Sequence, residues 1–318
     1  MTRTDAVVVD CVSKSFGDVH ALRDISFRAE AGTVLGILGP NGAGKTTTVD
    51  ILSTLLVADS GRATVAGYDV ADDPDAVRRV IATTGQYSAI DYSLTGRENL
   101  QFFGRLMGLS RRTARLRADE LLERFDLAAA ADRQARTYSG GMVRRLDIAC
   151  SLVVEPSVVF LDEPTTGLDP RSRKYVWSLV EQLGSLGITT LLTTQYLEEA
   201  DVLSDRIVVI DHGSVVAEGT AHELKATVGE RRCEIVPRDT CDLARLADEF
   251  ADLDATVPAH DANALTVVAA DGVDTVGTVI DRARRAGIEL EDVSLRRPSL
   301  DDVFLALTGS RGGEGEEQ

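Results

Sequence analysis

The chain has 318 residues, 44% of them hydrophobic and 27% charged, a globular composition long enough for two domains and a substantial core. Its 34 basic and 51 acidic residues give a net charge of −17, which argues against general nucleic-acid binding because that relies on Lys and Arg at phosphates. Residues 223–318 alone hold 21 acidic against 11 basic residues, so neither half is a basic binding module. No run approaches the ~18 apolar residues of a membrane-spanning helix. The first residues lack a signal-peptide pattern, so a cytosolic chain is the expectation. Cys11, Cys150, Cys233 and Cys241 form no CxxC pair and read as reduced structural thiols.

In chain order, residues 6–12 and 25–27 are apolar-rich and β-branched, and 33–38 form a nearly continuous apolar run suited to a buried strand. A helix is predicted from 44 to about 56, with Val49, Leu52 and Leu56 at helical spacing. Asp59-Ser60-Gly61 ends it, and short strands follow over 63–70. Residues 88–152 change to helical character, with Leu116, Leu121, Leu122 and Phe125 as one apolar stripe. Buried strands are predicted at 158–161, 189–194 and 206–210, and Asp211-His212-Gly213 reads as a hairpin turn into 215–218. Strands separated by helical segments imply a parallel sheet covered on both faces.

A composition shift at 223–232 marks a boundary. Beyond it come a strand at 233–237, a helix carrying Leu243, Leu246, Ala247 and Phe250, and a strand at 265–269. A helix carrying Val276, Val279, Ile280 and Ala283 follows, then a strand at 288–295 and a last helix capped by Ser299. This is a small α+β unit. Residues 309–318 are Gly/Glu-rich and are expected to be disordered.

Three segments carry chemistry. Gly39-Pro40-Asn41-Gly42-Ala43-Gly44-Lys45-Thr46 matches GxxxxGK[ST] between a predicted strand and a predicted helix. Such a loop turns backbone N–H groups toward an anion at a helix start. Lys45 then reaches β- and γ-phosphates, and the Thr46 hydroxyl can ligate Mg²⁺. The second segment, Val158-Val-Phe-Leu-Asp162-Glu163, sets two carboxylates at the C-terminal end of a strand, where open α/β sheets bind ligands. Asp162 suits the Mg²⁺ shell, and Glu163, pointing elsewhere, can polarise a water for attack on the γ-phosphate. The third, Tyr138-Ser139-Gly140-Gly141-Met142, reads either as an ordinary capped helix start or as a second anion site.

Together with Phe16, Gln86, Gly167-Leu168-Asp169 and Gln195, these segments resemble, in order and spacing, the ATP-binding subunits of ABC transporters over roughly residues 5–222. The class implied is α/β: a P-loop ABC ATPase domain with a parallel sheet core, an antiparallel β subdomain and a helical subdomain, plus a small C-terminal α+β domain. The boundaries expected are 1–222 for the ATPase domain (helical subdomain about 88–152), 223–309 for the accessory or dimerisation domain, and 310–318 for the tail. By the resemblance, ATP and Mg²⁺ are bound through Gly39, Pro40, Asn41, Gly42, Ala43, Gly44, Lys45, Thr46 and Thr47. Phe16 stacks on adenine; alternatively it is a core aromatic. Gln86 touches Mg²⁺ or the attacking water, Glu163 is the general base, and Gln195 contacts the γ-phosphate. Ser139, Gly140 and Gly141 of one chain bind the ATP of a second, head-to-tail copy. Asp169 communicates across that interface; taken alone it is a turn or helix-start residue before Pro170.

Two departures from the family pattern stand out. Met142 occupies a common Gln position, and Gln195 replaces the usual His, so that position can hydrogen-bond but carries no proton charge. These departures, with Thr193-Thr194-Gln195-Tyr196-Leu-Glu-Glu-Ala and Pro298-Ser-Leu-Asp-Asp-Val-Phe-Leu-Ala306, resemble the daunorubicin-resistance (DrrA) branch, actinobacterial and mycobacterial members included. That branch implies a homodimer of ATP-binding subunits. It also implies separate DrrB- and DrrC-like permeases, a peripheral place on the cytoplasmic face of the plasma membrane, and export of hydrophobic drugs or complex lipids. A nucleotide switch outside transport and an importer subunit remain the alternatives. For the tail domain, dimer contact, regulation and a stabilising appendage all stay open.

Overall fold

Apolar runs bounded by turn residues build two compact units, Met1–Ala221 and His222–Gln318, in a computed structural model that describes residues 4–85, 89–227, 231–257, 263–296 and 298–309. The first unit starts with β1 (Asp5–Phe16), β2 (Val19–Glu30), β3 (Val34–Leu38), α1 (Lys45–Leu52), β4 (Ser60–Val65) and β5 (Tyr68–Asp69). It continues through α2 (Pro74–Val80), β6 (Ile81–Thr84), α3 (Gly96–Leu106), α4 (Arg111–Arg124), α5 (Gly140–Ser151) and β7 (Val158–Asp162). It closes with α6 (Pro170–Ser185), β8 (Thr189–Thr194), α7 (Leu197–Leu203), β9 (Arg206–Asp211) and β10 (Ser214–Gly219).

Six strands order as β10-β9-β3-β8-β7-β6, all parallel except β10, which folds back on β9 through the predicted hairpin turn. A second, antiparallel sheet orders as β2-β1-β4-β5. Strand alternation assigns the two faces of the parallel sheet to different cores. Val159, Leu161 and Leu192 join Leu121, Leu146 and Val180 from the helices. Val158, Phe160 and Leu191 join Val7, Phe27 and Ile51 on the other face. Each such side chain, fully buried, contributes about 1.5–3 kcal/mol.

Three expectations need correcting. Leu116 is 62% exposed, while Ala114, Ala118, Leu121, Leu122 and Phe125 are buried. Five residues at 100° each put Leu116 well off the face of Leu121, so the stripe runs through the alanines instead. α1 stops at Leu52 rather than near 56, because Thr54 turns left-handed at φ 64°. β1 and β2 run twelve residues each, longer than their apolar segments, because register shifts along their pairing carry exposed polar residues within the ladder.

The second unit opens with α8 (Ala221–Thr227), which begins at the division. It comprises β11 (Arg232–Pro237), α9 (Leu243–Glu249), β12 (Leu265–Val268), α10 (Val273–Arg285), β13 (Leu290–Arg296) and α11 (Leu300–Gly309). β11 lies between β12 and β13, antiparallel to both. Phe250, Leu246, Val267 and Val279 form its core. Ser299 caps α11 as predicted: its hydroxyl accepts from the Asp302 amide at 3.2 Å, and its own amide donates to the Asp302 carboxylate at 2.8 Å. The expected tail at 310–318 lies outside the described residues.

All four cysteines are free; Cys150 and Cys233 are buried, and Cys11 and Cys241 are exposed. Burial pushes the Cys233 thiol up to about 11, and Asp239 beside Cys241 raises that thiol too. Among the described residues no helix is long and apolar enough to cross a membrane.

Candidate nucleotide site

The turn from β3 into α1 demands a residue without a side chain at its last position. Gly44 has φ 105°, and a Cβ there would stand 2.6 Å from the Ala21 carbonyl oxygen. L-residues avoid that conformation, and the contact leaves no room. Lys45 follows and is only 4% exposed. Its ammonium donates to Gly39 O at 2.8 Å and Pro40 O at 3.0 Å, and lies 3.3 Å from Glu163 Oε1. Thr46 donates its hydroxyl to Asp162 Oδ2 at 3.1 Å.

Period-two alternation along β7 explains the Asp162 contact. Residues 158, 160 and 162 share the face toward α1, so the carboxylate emerges beside Thr46. Leu191 and Thr193 of β8 share that same face, and the Thr193 hydroxyl donates to the other Asp162 oxygen. Asp162 and Thr46 thus offer converging hard oxygens, the donor type of a divalent-cation site.

Glu163 breaks from the strand with φ 45°, a left-handed backbone rare outside glycine. Its amide is held by Thr193, with the hydroxyl oxygen at 3.0 Å and the carbonyl at 3.2 Å. Thr166 donates to its Oε2 at 3.2 Å. The result turns the Glu163 carboxylate toward Lys45 rather than along the sheet.

A cavity of about 910 Å³ opens here, spacious enough for a nucleotide. Asn41, Gly42, Gly44, Lys45, Thr46, Thr47, Glu163 and Gln195 line it, all expected from the sequence. Gly39, Pro40 and Ala43 shape the loop from behind; Gly39 and Pro40 act through the carbonyls that hold Lys45. Phe16 is not among the lining residues: it ends β1, 48% exposed, with the Lys14 ammonium 5.7 Å from its ring centre. Gln86 lies outside the described residues.

Ser139, Gly140 and Gly141 also stand apart from this cavity. Ser139 caps α5, accepting from the Met142 amide at 3.3 Å. Gly141 packs against the Ser172 hydroxyl so closely that a Cβ would collide with it. Asp169 caps α6, accepting from the Arg171 and Ser172 amides at 3.0 Å each and from the Ser172 hydroxyl at 2.6 Å. That hydroxyl and those amides hold its carboxyl below the usual carboxylate range.

Sequence reasoning missed several cavity residues, among them His20, Arg23, Arg144 and His212. Arg144 is mostly buried, and burial lowers its guanidinium pKa despite the nearby Asp147 and Asp162. Thr193 was missed as well, although it sits two places before Gln195 on a strand whose alternation points it at Asp162. On α1, burial and then the Asp162 charge raise the Asp50 carboxyl. Glu199 of α7 is fully buried, accepts from Trp177 Nε1 at 3.0 Å, and is pushed up by burial.

Residues 22–166 match the model of the ABC transporter family, and residues 219–308 match that of the C-terminal domain of DrrA1-3-like ATP-binding proteins. The doxorubicin resistance ATP-binding protein DrrA of Mycobacterium tuberculosis is 56% identical over 312 residues, covering 95% of this chain and 93% of its own. The chain belongs to the DrrA branch of the ABC transporter ATP-binding family. The daunorubicin resistance ATP-binding protein DrrA3 of Streptomyces coeruleorubidus is 53% identical, covering 96% of each chain. Among solved structures, CbiO1 of Clostridium perfringens, part of the transporter complex CbiONQ, superposes with a TM-score of 0.65 at 29% identity, covering 70% of this chain and 91% of that one. The chain is therefore an ABC-type ATPase, as the resemblance implied.

Proposed function

We propose that this chain is the motor subunit of an exporter. It binds and hydrolyses ATP to drive hydrophobic drugs or complex lipids through separate transmembrane permeases of the DrrB and DrrC kind, from the cytoplasmic face of the plasma membrane. The observation that carries the reading is the convergence of Lys45, Thr46 and Glu163 on one cavity at the C-terminal ends of β3 and β7, with Asp162 accepting from the Thr46 hydroxyl. The two DrrA relatives support export, since both are named for resistance to a drug, whereas the importer and switch readings have no such support.

Each residue has a physical task. The loop amides and Lys45 hold the phosphates, and Lys45 offsets charge that grows between the β- and γ-groups. Thr46 and Asp162 fit Mg²⁺ by their oxygen chemistry, and the ion would supply charge neutralisation at the phosphates. Glu163 accepts a proton from the attacking water, a role open to a carboxylate facing the cavity. Gln195 donates an amide hydrogen bond to the γ-phosphate and takes no proton.

The signature turn supports a two-copy arrangement. Ser139 and Gly140 stand at the start of α5 and away from the chain's own cavity, so a second copy presented head to tail would place them on the first copy's nucleotide. ATP then favours the closed dimer by its differential affinity, and hydrolysis releases it. Phe16 is exposed at the end of β1 and offers a π-face for adenine.

Glu163→Gln tests the reading. In vesicles carrying the protein with its permeases, hydrolysis should fall by about 100- to 10,000-fold while ATP still binds and a dimer accumulates. Doxorubicin export should stop with it. Parental turnover in that variant would remove Glu163 as the base. Unchanged drug efflux would remove the motor role.

A further inference from the structure

α5 carries the Ser139-Gly140-Gly141 turn at its start and, a little further on, two charged residues that no motif requires. The side chains of Arg144 and Asp147 are 12% and 5% exposed and pair at 3.2 Å. A buried ion pair is weak ground for stability, because desolvation cancels much of its attraction. What distinguishes this pair is the destination of its other hydrogen bonds.

The Arg144 guanidinium directs its donors at main-chain carbonyls. Nε reaches Pro164 O at 2.9 Å, and Nη2 reaches Asp162 O at 3.4 Å. Those two carbonyls flank Glu163. Nη1 reaches Gly85 O at 3.0 Å, and Asp147 Oδ1 accepts from the Ala89 amide at 3.0 Å. A planar guanidinium presents five donors in a fixed fork, so one side chain can tie several chain segments together; an ammonium on a flexible stem cannot. The left-handed backbone of Glu163 persists only where its surroundings over-determine it. Thr193 holds its amide, and Arg144 holds the carbonyls before and after it.

We propose that Arg144, seated by Asp147, is a positioning residue that keeps the backbone around Glu163 in register with α5. The inference rests on the ATPase reading above. Arg144 lies five positions after Ser139, about 7.5 Å along the helix, so a shift at the start of α5 reaches the general base through one short rigid rod. Arg144 acts through Glu163 and does not touch the reacting atoms. Because it also lines the cavity, its rival role is a direct phosphate ligand. The two roles separate kinetically: a phosphate ligand changes ATP affinity, and a positioning residue changes turnover.

The test uses the full chain with its permeases and measures kcat, KM for ATP, ATP affinity by titration, and Tm. Arg144→Lys keeps a cation and loses the fork; kcat should fall about tenfold, with KM and ATP affinity within about twofold of the parent. Asp147→Ala, which loosens the seat, should lower kcat about threefold by the same split. Turnover is expressed per ATP-binding molecule, so poor folding cannot imitate a slow active site. An unchanged kcat in Arg144→Lys overturns the proposal. So does a raised KM at parental kcat, which makes Arg144 a phosphate ligand. A parent that binds ATP yet never hydrolyses it sinks the ATPase reading and this inference with it, whereas an active parent with an equally active Arg144→Lys sinks this inference alone.

Discussion

The two units bury different things. In Met1–Ala221, Lys45, Asp147, Asp162, Thr193, Thr194 and Glu199 are all buried, Asp162, Thr193 and Thr194 at the C-terminal ends of parallel strands. In His222–Gln318, the described core is hydrocarbon, and the buried polar residues reduce to Glu234, paired with Arg296 at 2.8 Å, and two threonines. Charges are costly to bury and are kept where they are hydrogen-bonded. The first unit therefore sacrifices some stability to hold polar groups inside, whereas the second keeps a nearly apolar interior.

Three perturbations sharpen or break that contrast. The largest is Phe250→Ala. This ring is fully buried in the second unit with the Arg282 guanidinium 4.9 Å away, and its loss should cost about 3–5 kcal/mol. Calorimetry should show that unit melting earlier while ATP affinity stays within about twofold; a parallel loss of ATP binding would mean the units are energetically one. Lys45→Ala comes next. Removing charge-assisted hydrogen bonds of about 1.5–3 kcal/mol should weaken ATP binding about 10- to 100-fold, read by titration, with Tm lowered little. Unaltered affinity would take Lys45 out of the phosphate site.

The smallest is Glu199→Gln. Burial, against the Trp177 and threonine donors, raises the folded-state pKa of Glu199 above its unfolded value near 4.3. Its stabilising contribution is then full below that unfolded value and is lost as pH rises through the folded one. Gln keeps an acceptor for Trp177 without the buried charge, so the variant should gain about 2 °C in Tm at pH 8 over the parent and nothing at pH 4. A thermal-shift series across pH that shows no such divergence removes the buried-charge account.

Local features were legible because local physics sets them. The Gly39–Gly44 loop, the Asp162-Glu163 strand end, the 211–213 hairpin turn and the Ser299 cap depend on a few neighbours. Within the second unit, alternating and helical spacings located every strand and the longer helices to within a few residues. Long-range placement was harder. β6, at the edge of the parallel sheet, is Ile-Ala-Thr-Thr and carries too little apolar signal to announce itself. Leu116 looked like core because hydrophobicity was counted without phase, and small alanines did the packing. Thr193 and Arg144 were missed for a deeper reason: their partners are a carboxylate on a neighbouring strand and main-chain carbonyls, which leave no mark in side-chain pattern. Asp169 shows how one residue serves two readings, since its cap on α6 accounts for its carboxylate whether or not it also faces a second copy.

The placement of the thiols has a practical consequence. Cys11 and Cys241 are exposed, one in each unit, while Cys150 and Cys233 are shielded by packing. The unaltered polypeptide therefore carries its own pair of dye-attachment points. Fluorophores coupled there would turn it into a molecular ruler, reporting through energy transfer whether the span between the two labelled units changes when ATP is added.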